Sequence, residues 1–225
     1  TISNMNLDDF QGYIFDLDGT LLNTIDDIAD SVNAVLKKHG LPTHTVEEYK
    51  TFVGSGAKVL ITSALGEKAN DEKLYKEVFD EYIEYYGKHR EDKTAPYAGI
   101  VEMLEKLKGK YRLGVLSNKP HADTVPMVHT HFGDNFFDFV YGQRDGIPRK
   151  PDPTVVYKMI NDMGLTVDEV MYVGDSENDV LTANNSGCRA CCVLWGFRTY
   201  DQMKDVGKCE YFAHTPTDVI KAAED

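Results

Sequence analysis

Short apolar segments recur along this chain, and the clearest of them end in polar residues. The predicted strands cover residues 12–18, 111–117, 136–141, 169–175 and 188–194. Helical spacing of apolar residues separates them, at residues 100–108, 122–131, 153–163 and 179–186. Two neighbouring parallel strands need a crossover connection, which is usually a helix. Strands that alternate with helices are therefore typical of a parallel sheet with helices on both faces. The alternation predicts an α/β fold with a doubly wound, Rossmann-like parallel sheet.

Residues 22–94 interrupt this alternation, because they contain helical patterns and no convincing strand. Helices are predicted at residues 23–38, from residue 45, and at residues 58–64 and 71–87. The aromatic and aliphatic residues of the last helix recur at helical spacing, which favours core packing over a ligand platform. The pattern predicts an all-helical domain, residues 22–94, inserted into a discontinuous core of residues 1–21 and 95–225.

Two of these helices begin with the pattern of a capping box. Thr24 is followed three residues later by Asp27, and Thr45 by Glu48. In such a box the hydroxyl accepts from a backbone N–H three residues on, and the acid accepts from the backbone N–H of the first residue. We therefore expect the starts of these two helices to be capped at Thr24 and Thr45.

Composition excludes several classes of partner. The 225 residues are 42% hydrophobic and 27% charged, with a formal net charge of -13. Nucleic acids and anionic membranes bind basic surfaces, so neither is an expected partner. No apolar run approaches the roughly 18 residues that a membrane span needs. Residues 1–9 are polar and do not resemble a signal peptide, so we expect a cytoplasmic protein.

The four cysteines do not predict a metal or redox site. Cys188 and Cys191 have the CxxC spacing of such sites, but both lie in an apolar segment that is predicted to be a strand. Residues three apart on a strand point to opposite faces, so the two sulfurs would not converge. We interpret them as small buried apolar side chains.

Polar residues at the ends of the predicted strands mark a candidate site. Asp16 and Asp18 end the first strand, Ser117 and Asn118 follow another, and Asp175 ends a third. Ligands of open parallel sheets bind at the carboxyl ends of the strands. Lys150, in the loop before a predicted helix, would add an ammonium group to the same cleft.

Crowded carboxylates of this kind need a cation, since they otherwise raise one another's pKa. Their hard oxygen atoms suit Mg²⁺, which binds through one or two carboxylates and substrate phosphate. Asp16 and Asp18 lie two residues apart and would share one face of an ideal strand. One carboxyl group is then placed to attack phosphorus and the other to protonate the departing oxygen. Gly19 allows a sharp turn that brings backbone N–H groups close to phosphate oxygens.

Four segments in this order resemble the motifs of the haloacid dehalogenase (HAD) superfamily. The stretch that begins Phe15-Asp-Leu-Asp-Gly-Thr-Leu is similar to the first motif, DxDGTL. Ser117 resembles the second motif, Lys150 before Pro-Asp-Pro the third, and Gly174-Asp-Ser-Glu-Asn-Asp179 the fourth. The helical insertion resembles the C1 cap of this superfamily, and the whole pattern is similar to its phosphoglycolate phosphatase-like branch.

The resemblance implies a role for each matching residue. Asp16 would be the nucleophile and a metal ligand, and Asp18 the general acid and base, with its backbone carbonyl on the metal. Lys150 would balance the charge of Asp16 and phosphate. Asp175 would be a direct metal ligand, and Asp179 a direct or outer-shell one. Phosphate would be bound by Gly19, Thr20, Ser117 and Asn118.

The inserted domain contains one further candidate residue. Lys58 follows the glycine-rich segment Val53-Gly-Ser-Gly-Ala, which lacks the full pattern of a nucleotide-binding P-loop. In capped relatives this region closes the site and selects the substrate. Lys58 is therefore a candidate for binding a substrate carboxylate, and an exposed helix residue is the alternative.

The predicted function is Mg²⁺-dependent hydrolysis of a small phosphomonoester, phosphoglycolate-like or a sugar phosphate, through an aspartyl-phosphate. A phosphomutase of the β-phosphoglucomutase type is the alternative, because the motifs do not separate the two. A non-catalytic binding domain of the same fold would have no use for the crowded carboxylates. The expected partner is a small phosphorylated metabolite, and both a monomer and a homodimer remain open.

Overall fold

Six parallel strands form the main sheet of the computed structural model, in which residues 10–224 are described. The strands of the protein are β1 (Gly12–Phe15), β2 (Leu22–Asn23), β3 (Ala95–Pro96), β4 (Arg112–Pro120), β5 (Phe139–Gln143), β6 (Val170–Gly174), β7 (Arg189–Val193) and β8 (Tyr211–Ala213). The order in the main sheet is β5-β4-β1-β6-β7-β8, which confirms the predicted doubly wound α/β fold.

Helices precede or follow most of these strands. They are α1 (Ile25–Lys38), α2 (Val46–Phe52), α3 (Ala57–Leu65), α4 (Glu72–His89), α5 (Ile100–Leu107), α6 (His121–Phe132), α7 (Thr154–Met163), α8 (Glu177–Ser186), α9 (Tyr200–Met203) and α10 (Pro216–Glu224). Predicted and observed bounds differ by a few residues, as at β5, which begins at Phe139 instead of residue 136.

Strand β1 lies in the middle of the sheet and pairs with β4 on one side and β6 on the other. Its side chains alternate between two apolar cores. Tyr13 and Phe15 enter one core, and Ile14 enters the other. Both faces of the strand are therefore buried, which explains why its sequence is a continuous apolar run instead of an alternating one.

Helices α1 to α4 lie between two short strands that connect them to the main sheet. β2 and β3 pair antiparallel, with Leu22 opposite Pro96 and Asn23 opposite Ala95. The chain thus leaves and re-enters the main sheet at adjacent points. This geometry agrees with the boundaries expected at residues 22 and 94, and the division into a core and a helical cap domain stays a prediction.

One of the two expected capping boxes is present and the other is not. Thr45 and Glu48 form both reciprocal hydrogen bonds at the start of α2. At α1 the expectation is wrong, because Thr24 has no capping hydrogen bond and its hydroxyl donates to Asp18 over 2.6 Å. Asp27 instead accepts hydrogen bonds from the backbone N–H groups of Lys93 and Thr94 and from the Thr94 hydroxyl, at 2.8–3.0 Å.

Cys188, directly before β7, and Cys191 and Cys192 within it agree with the expected burial on opposite faces. Cys191 belongs to the core that contains Phe15, whereas Cys188 and Cys192 belong to the core that contains Ile14. All three side chains are buried, and burial raises the pKa of Cys188 to about 11.

In residues 10–224, none of the helices combines the length and the apolar character that a membrane crossing requires. The polar segment at residues 1–9, on which the expectation about a signal peptide depends, lies outside the described residues.

Replacing Asp27 with alanine tests whether this carboxylate holds the returning chain against α1. The change leaves two backbone N–H groups without their acceptor, so we expect the free energy of unfolding to fall by about 2 kcal/mol. Asp30→Ala is the matched control, because Asp30 is exposed and pairs with exposed Lys93; it should change the stability by less than about 0.5 kcal/mol. Urea unfolding of both variants measures the difference, and equal effects would contradict the role of Asp27.

Candidate active site

The carboxyl ends of β1, β4 and β6 bring the predicted site residues together. Asp16 follows β1, Asp175 follows β6, and Ser117 lies within the last residues of β4. Lys150 reaches this edge from the loop before α7, and its Nζ lies 3.4 Å from an oxygen of Asp16. These side chains are buried, and Lys150 is only 2% exposed.

Lys150 is held in place by a set of acceptors around its ammonium group. Nζ donates to the backbone carbonyl of Leu116 at 2.8 Å and to the hydroxyl of Tyr172 at 2.6 Å. It also lies 3.4 Å from Asp179. Burial alone lowers the pKa of Lys150, but the charges of Asp16 and Asp179 outweigh it and raise the pKa above its usual value. The ammonium group therefore stays charged.

Asp16, Asp175 and Asp179 form a buried carboxylate cluster, with one oxygen of each within 4.8 Å of the others. Burial raises the pKa of Asp16 well above its usual range, the charge of Asp179 raises it further, and Lys150 opposes both. Burial is also the main cause for Asp175, whose pKa rises to about 7. Three acids thus lie beside one lysine, and their hard oxygen atoms suit a divalent ion such as Mg²⁺.

Hydrogen bonds fix the orientation of the two acids from the fourth motif. Asp175 accepts from the hydroxyl of Thr20 at 3.1 Å and from the backbone N–H of Phe197 at 2.9 Å. Asp179 accepts from the backbone N–H of Asp175 at 2.9 Å and from the hydroxyl of Tyr172 at 2.8 Å. The Asp179 carboxylate thus orients Asp175 through its backbone N–H and also belongs to the cluster that could hold a metal ion.

Two glycines make room for this cluster. Gly19 has a φ of 83°, and a Cβ at this position would lie 2.1 Å from a carboxylate oxygen of Asp175. A Cβ on Gly174 would lie 2.1 Å from Cγ of Asp179. No side chain fits at either position while the acids keep their places.

The side chain of Asp18 lies apart from this cluster and faces the helical segment. One of its oxygens accepts a hydrogen bond from Thr24 at 2.6 Å and lies 2.7 Å from Nζ of Lys119. Sequence reasoning missed Lys119, which is buried at the end of β4. A lysine directly after an apolar strand and the Ser117-Asn118 pair was the available signal, because most lysines are exposed.

Three predicted phosphate-binding side chains make internal contacts. Thr20 donates to Asp175, as described above, and the Ser117 hydroxyl oxygen accepts from the backbone N–H of Lys119 at 3.0 Å. The Asn118 amide donates to the carbonyls of Lys150 and Gly54, and its oxygen accepts from the backbone N–H of Lys150. Asn118 therefore positions Lys150, and its side chain is not directed at a phosphate site.

Polar residues of the core hold the loop between α2 and α3. Arg198, another residue that sequence reasoning missed, donates to the carbonyls of Lys50, Thr51 and Val53. These carbonyls lie at or just beyond the last turn of α2, where they have no partners within the helix. Asn118 and Asn178 both donate to the carbonyl of Gly54. The helical segment is thus closed over the carboxylate cluster.

A cavity lies between this loop, α1, α4 and the end of β4. Asp16, Asp18, Ser117 and Lys119 form its polar side, while Ile28, Val53, Leu60, Tyr82 and Tyr86 belong to the wall that the helical segment contributes. Lys58 is exposed on α3 and does not line this cavity. The prediction that Lys58 binds a substrate carboxylate finds no support in this geometry.

The model of the haloacid dehalogenase-like hydrolase family matches residues 13–193. The matched region contains Asp16, Ser117, Lys150 and Asp175, which this site brings together. The chain belongs to this family. Membership confirms the resemblance that the four motifs indicated.

Curated and solved relatives extend this result. A phosphoglycolate phosphatase from Haemophilus influenzae (strain 86-028NP) is 35% identical over 190 residues, which cover 81% of this chain and 85% of the relative. A solved structure from Lactobacillus delbrueckii subsp. bulgaricus superimposes with a TM-score of 0.89 at 30% identity, covering 96% and 98% of the two chains. The solved structure of a predicted phosphoglycolate phosphatase from Haemophilus somnus 129pt superimposes with a TM-score of 0.88 at 29% identity. The match covers 97% of this chain and 99% of the relative. The chain is a phosphatase of this family, as the motifs predicted.

Replacing Arg198 with methionine tests whether the guanidinium group closes the loop over the site. The carbonyls at the end of α2 lose their donors, and charge-assisted hydrogen bonds of this kind stabilise by about 1.5–3 kcal/mol. We expect amide hydrogen exchange in residues 50–56 to become about 10-fold faster or more. Lys204→Met, at an exposed lysine that pairs with Asp201, should leave this exchange unchanged. Unchanged exchange in both variants would show that Arg198 does not hold the loop.

Proposed function

We propose that this protein hydrolyses a small phosphomonoester in a Mg²⁺-dependent reaction, with Asp16 as the nucleophile and an aspartyl-phosphate as the intermediate. The observation that carries this proposal is the position of Asp16. Its carboxylate lies at the end of the central strand, between Lys150 and two further buried acids, and opens onto the cavity. The curated relatives are named as phosphoglycolate phosphatases, which supports a small substrate.

The carboxylate cluster fits a bound Mg²⁺ ion. Asp16, Asp175 and Asp179 would hold it, together with the backbone carbonyl of Asp18 that the family resemblance implies. Burial is the main cause that raises the pKa of both Asp16 and Asp175, the latter to about 7, and the charge of Asp179 adds to it. When bound, the ion would offset the negative charge of phosphate at the nucleophile.

Asp16 attacks phosphorus with one carboxylate oxygen, and the bond from phosphorus to the ester oxygen breaks. Lys150 lies 3.4 Å from Asp16, so its charge offsets the repulsion between carboxylate and phosphate. The Ser117 hydroxyl donates to a phosphoryl oxygen in this proposal, because its oxygen already accepts from Lys119 and its proton remains available. The backbone N–H of Gly19, expected from the sequence near phosphate, instead donates to the carbonyl of Leu22 at 2.9 Å and has no part in this proposal.

Asp18 is placed to act as the general acid and then as the base. In the first step its proton goes to the departing ester oxygen. In the second step the carboxylate takes a proton from the water that attacks the phosphorus of the aspartyl-phosphate, which releases inorganic phosphate and regenerates Asp16. Thr24 and Lys119 hold Asp18 in this orientation.

Residues 22–94 act in this proposal as a cap that opens for exchange of substrate and product. The paired strands β2 and β3 provide a narrow connection, and the contacts of Arg198 and Asn118 stabilise the closed state. A closed cap excludes bulk water while the phosphoryl group is transferred.

Exchanging Asp16 for asparagine tests the nucleophile. An amide does not form the acyl phosphate, so release of inorganic phosphate should fall at least about 10³-fold. Asp26→Asn, the same exchange at an exposed position of α1, should keep the wild-type rate. Two substrates are assayed separately with Mg²⁺, 2-phosphoglycolate and a sugar phosphate; free phosphate is measured for both, and a rearranged phosphate ester is measured for the sugar phosphate. Full activity of Asp16→Asn would refute the mechanism, and an isomeric ester in place of free phosphate would indicate a mutase.

Thermal unfolding with and without Mg²⁺ tests the metal site. The pKa of Asp175 is raised to about 7 in the folded, metal-free protein, above its usual value of 3.8. The folded state therefore binds more protons than the unfolded state between these values, and stability falls as pH rises through this window. Mg²⁺ must displace these protons, so it should raise the Tm by several degrees at pH 8 and far less at pH 5.5. Asp175→Asn should remove the shift at pH 8, and exposed Asp145→Asn should keep it; equal shifts at both pH values would count against this site.

A further inference from the structure

Lys119 is a buried lysine whose contacts leave part of its hydrogen-bonding capacity unused. Its Nζ lies 2.7 Å from Asp18, donates to the hydroxyl of Tyr86, and lies 4.5 Å above the Tyr86 ring. The third acceptor within reach is the thioether sulfur of Met127, at 3.6 Å. Sulfur of this type accepts only weakly, so one of the three ammonium donors lacks a strong partner.

Lys119 is also the one lysine or arginine among the described residues that line the cavity. The lining contains three carboxylates: Asp123 is paired with Arg90 at 2.7 Å, Asp16 with Lys150, and Asp18 with Lys119 itself at 2.7 Å. Lys119 is thus the one cation of the lining that an anion beyond the phosphate could contact, and it would share that cation with Asp18.

The position of Lys119 assigns it to one side of the reacting phosphorus. Asp16 and Lys150 mark the side on which the phosphoryl group is bound. Asp18 protonates the departing ester oxygen, so Lys119, in contact with Asp18, lies on the side of the leaving group. A charge on the leaving group would thus lie near Lys119, and a charge on phosphate near Lys150.

The remaining wall limits what kind of leaving group fits. Ile28, Val53, Ala57 and Leu60 supply apolar surface to the same lining. The hydroxyl groups of a sugar would lose their hydrogen bonds to water against such a wall, which costs free energy. A short leaving group with one anionic end makes better use of this cavity.

We propose that Lys119 binds a carboxylate on the leaving group and thereby selects small phosphomonoesters of hydroxy acids. The inference rests on the proposed phosphatase function. It assigns to Lys119, at the end of β4, the role of carboxylate binding for which the sequence had suggested Lys58. The carboxylate takes the weakly used donor of Lys119, and a charge-assisted hydrogen bond forms in a site that excludes water.

The test compares two substrates that differ in one charge. One is 2-phosphoglycolate and the other is its neutral amide, glycolamide phosphate, and kcat and KM are measured for both. The wild type should favour the carboxylate by about 10- to 100-fold in kcat/KM. In Lys119→Met this ratio should fall to near 1, mainly through a higher KM for 2-phosphoglycolate. Lys58→Met should keep the wild-type ratio, because Lys58 is exposed outside the cavity.

The ratio separates substrate binding from support of Asp18. If Lys119 only positions Asp18, both substrates lose the same factor and the ratio stays at its wild-type value, which would overturn the proposal. Lys119→Arg keeps the charge and should retain part of the preference, which guards against a folding defect in Lys119→Met. A wild type that hydrolyses other phosphomonoesters without preferring the carboxylate refutes this inference alone. A wild type that releases phosphate from no ester refutes the proposed function itself.

Discussion

The mutual repulsion of three buried carboxylates is the constraint on which the rest of this structure depends. Asp16, Asp175 and Asp179 lie together inside the protein, and burial with the charge of Asp179 raises the pKa of both Asp16 and Asp175. Lys150 supplies one positive charge, and backbone and hydroxyl donors such as Phe197 and Tyr172 orient the oxygens. A site of this kind is costly for the metal-free fold and well suited to a divalent cation. Lys150 and a cation held by this cluster would together allow a chain with a net charge of -13 to bind a phosphate ester.

A second group of interactions connects the carboxylate cluster with the helical segment. Asp18 belongs to the first motif, yet its partners are Thr24 at the start of the helical segment and Lys119 at the end of β4. Arg198 and Asn118 hold the loop at Val53 and Gly54 over the same cavity. Asp18 therefore lies where the main sheet meets the helical segment. In the proposed mechanism, the contacts that hold the segment closed and those that orient the acid are parts of one arrangement.

Rules that use only the local sequence predicted the structure well wherever a single segment determines it. The apolar run before Asp16 formed a buried central strand, and Thr45 with Glu48 formed a capping box. The capping-box rule failed at Thr24, because the Thr24 hydroxyl donates to the carboxylate of Asp18 on the other side of the chain reversal. Asp27 likewise accepts from Lys93 and Thr94, which are more than 60 residues away in sequence. Short-range patterns contain no information about such distant partners.

The sequence by itself determined the class of fold and the family, and it named the residues that are proposed to carry the chemistry. These follow from apolar periodicity and from four motifs at the ends of strands, where a parallel sheet must gather their residues. Only the tertiary structure decided which lysine lines the cavity beside Asp18. Lys58 and Lys119 are both lysines near motif residues, but α3 leaves the first in solvent and β4 buries the second beside Asp18. Burial depends on how the helical segment packs over the sheet, and that packing is set by contacts between residues far apart in the chain.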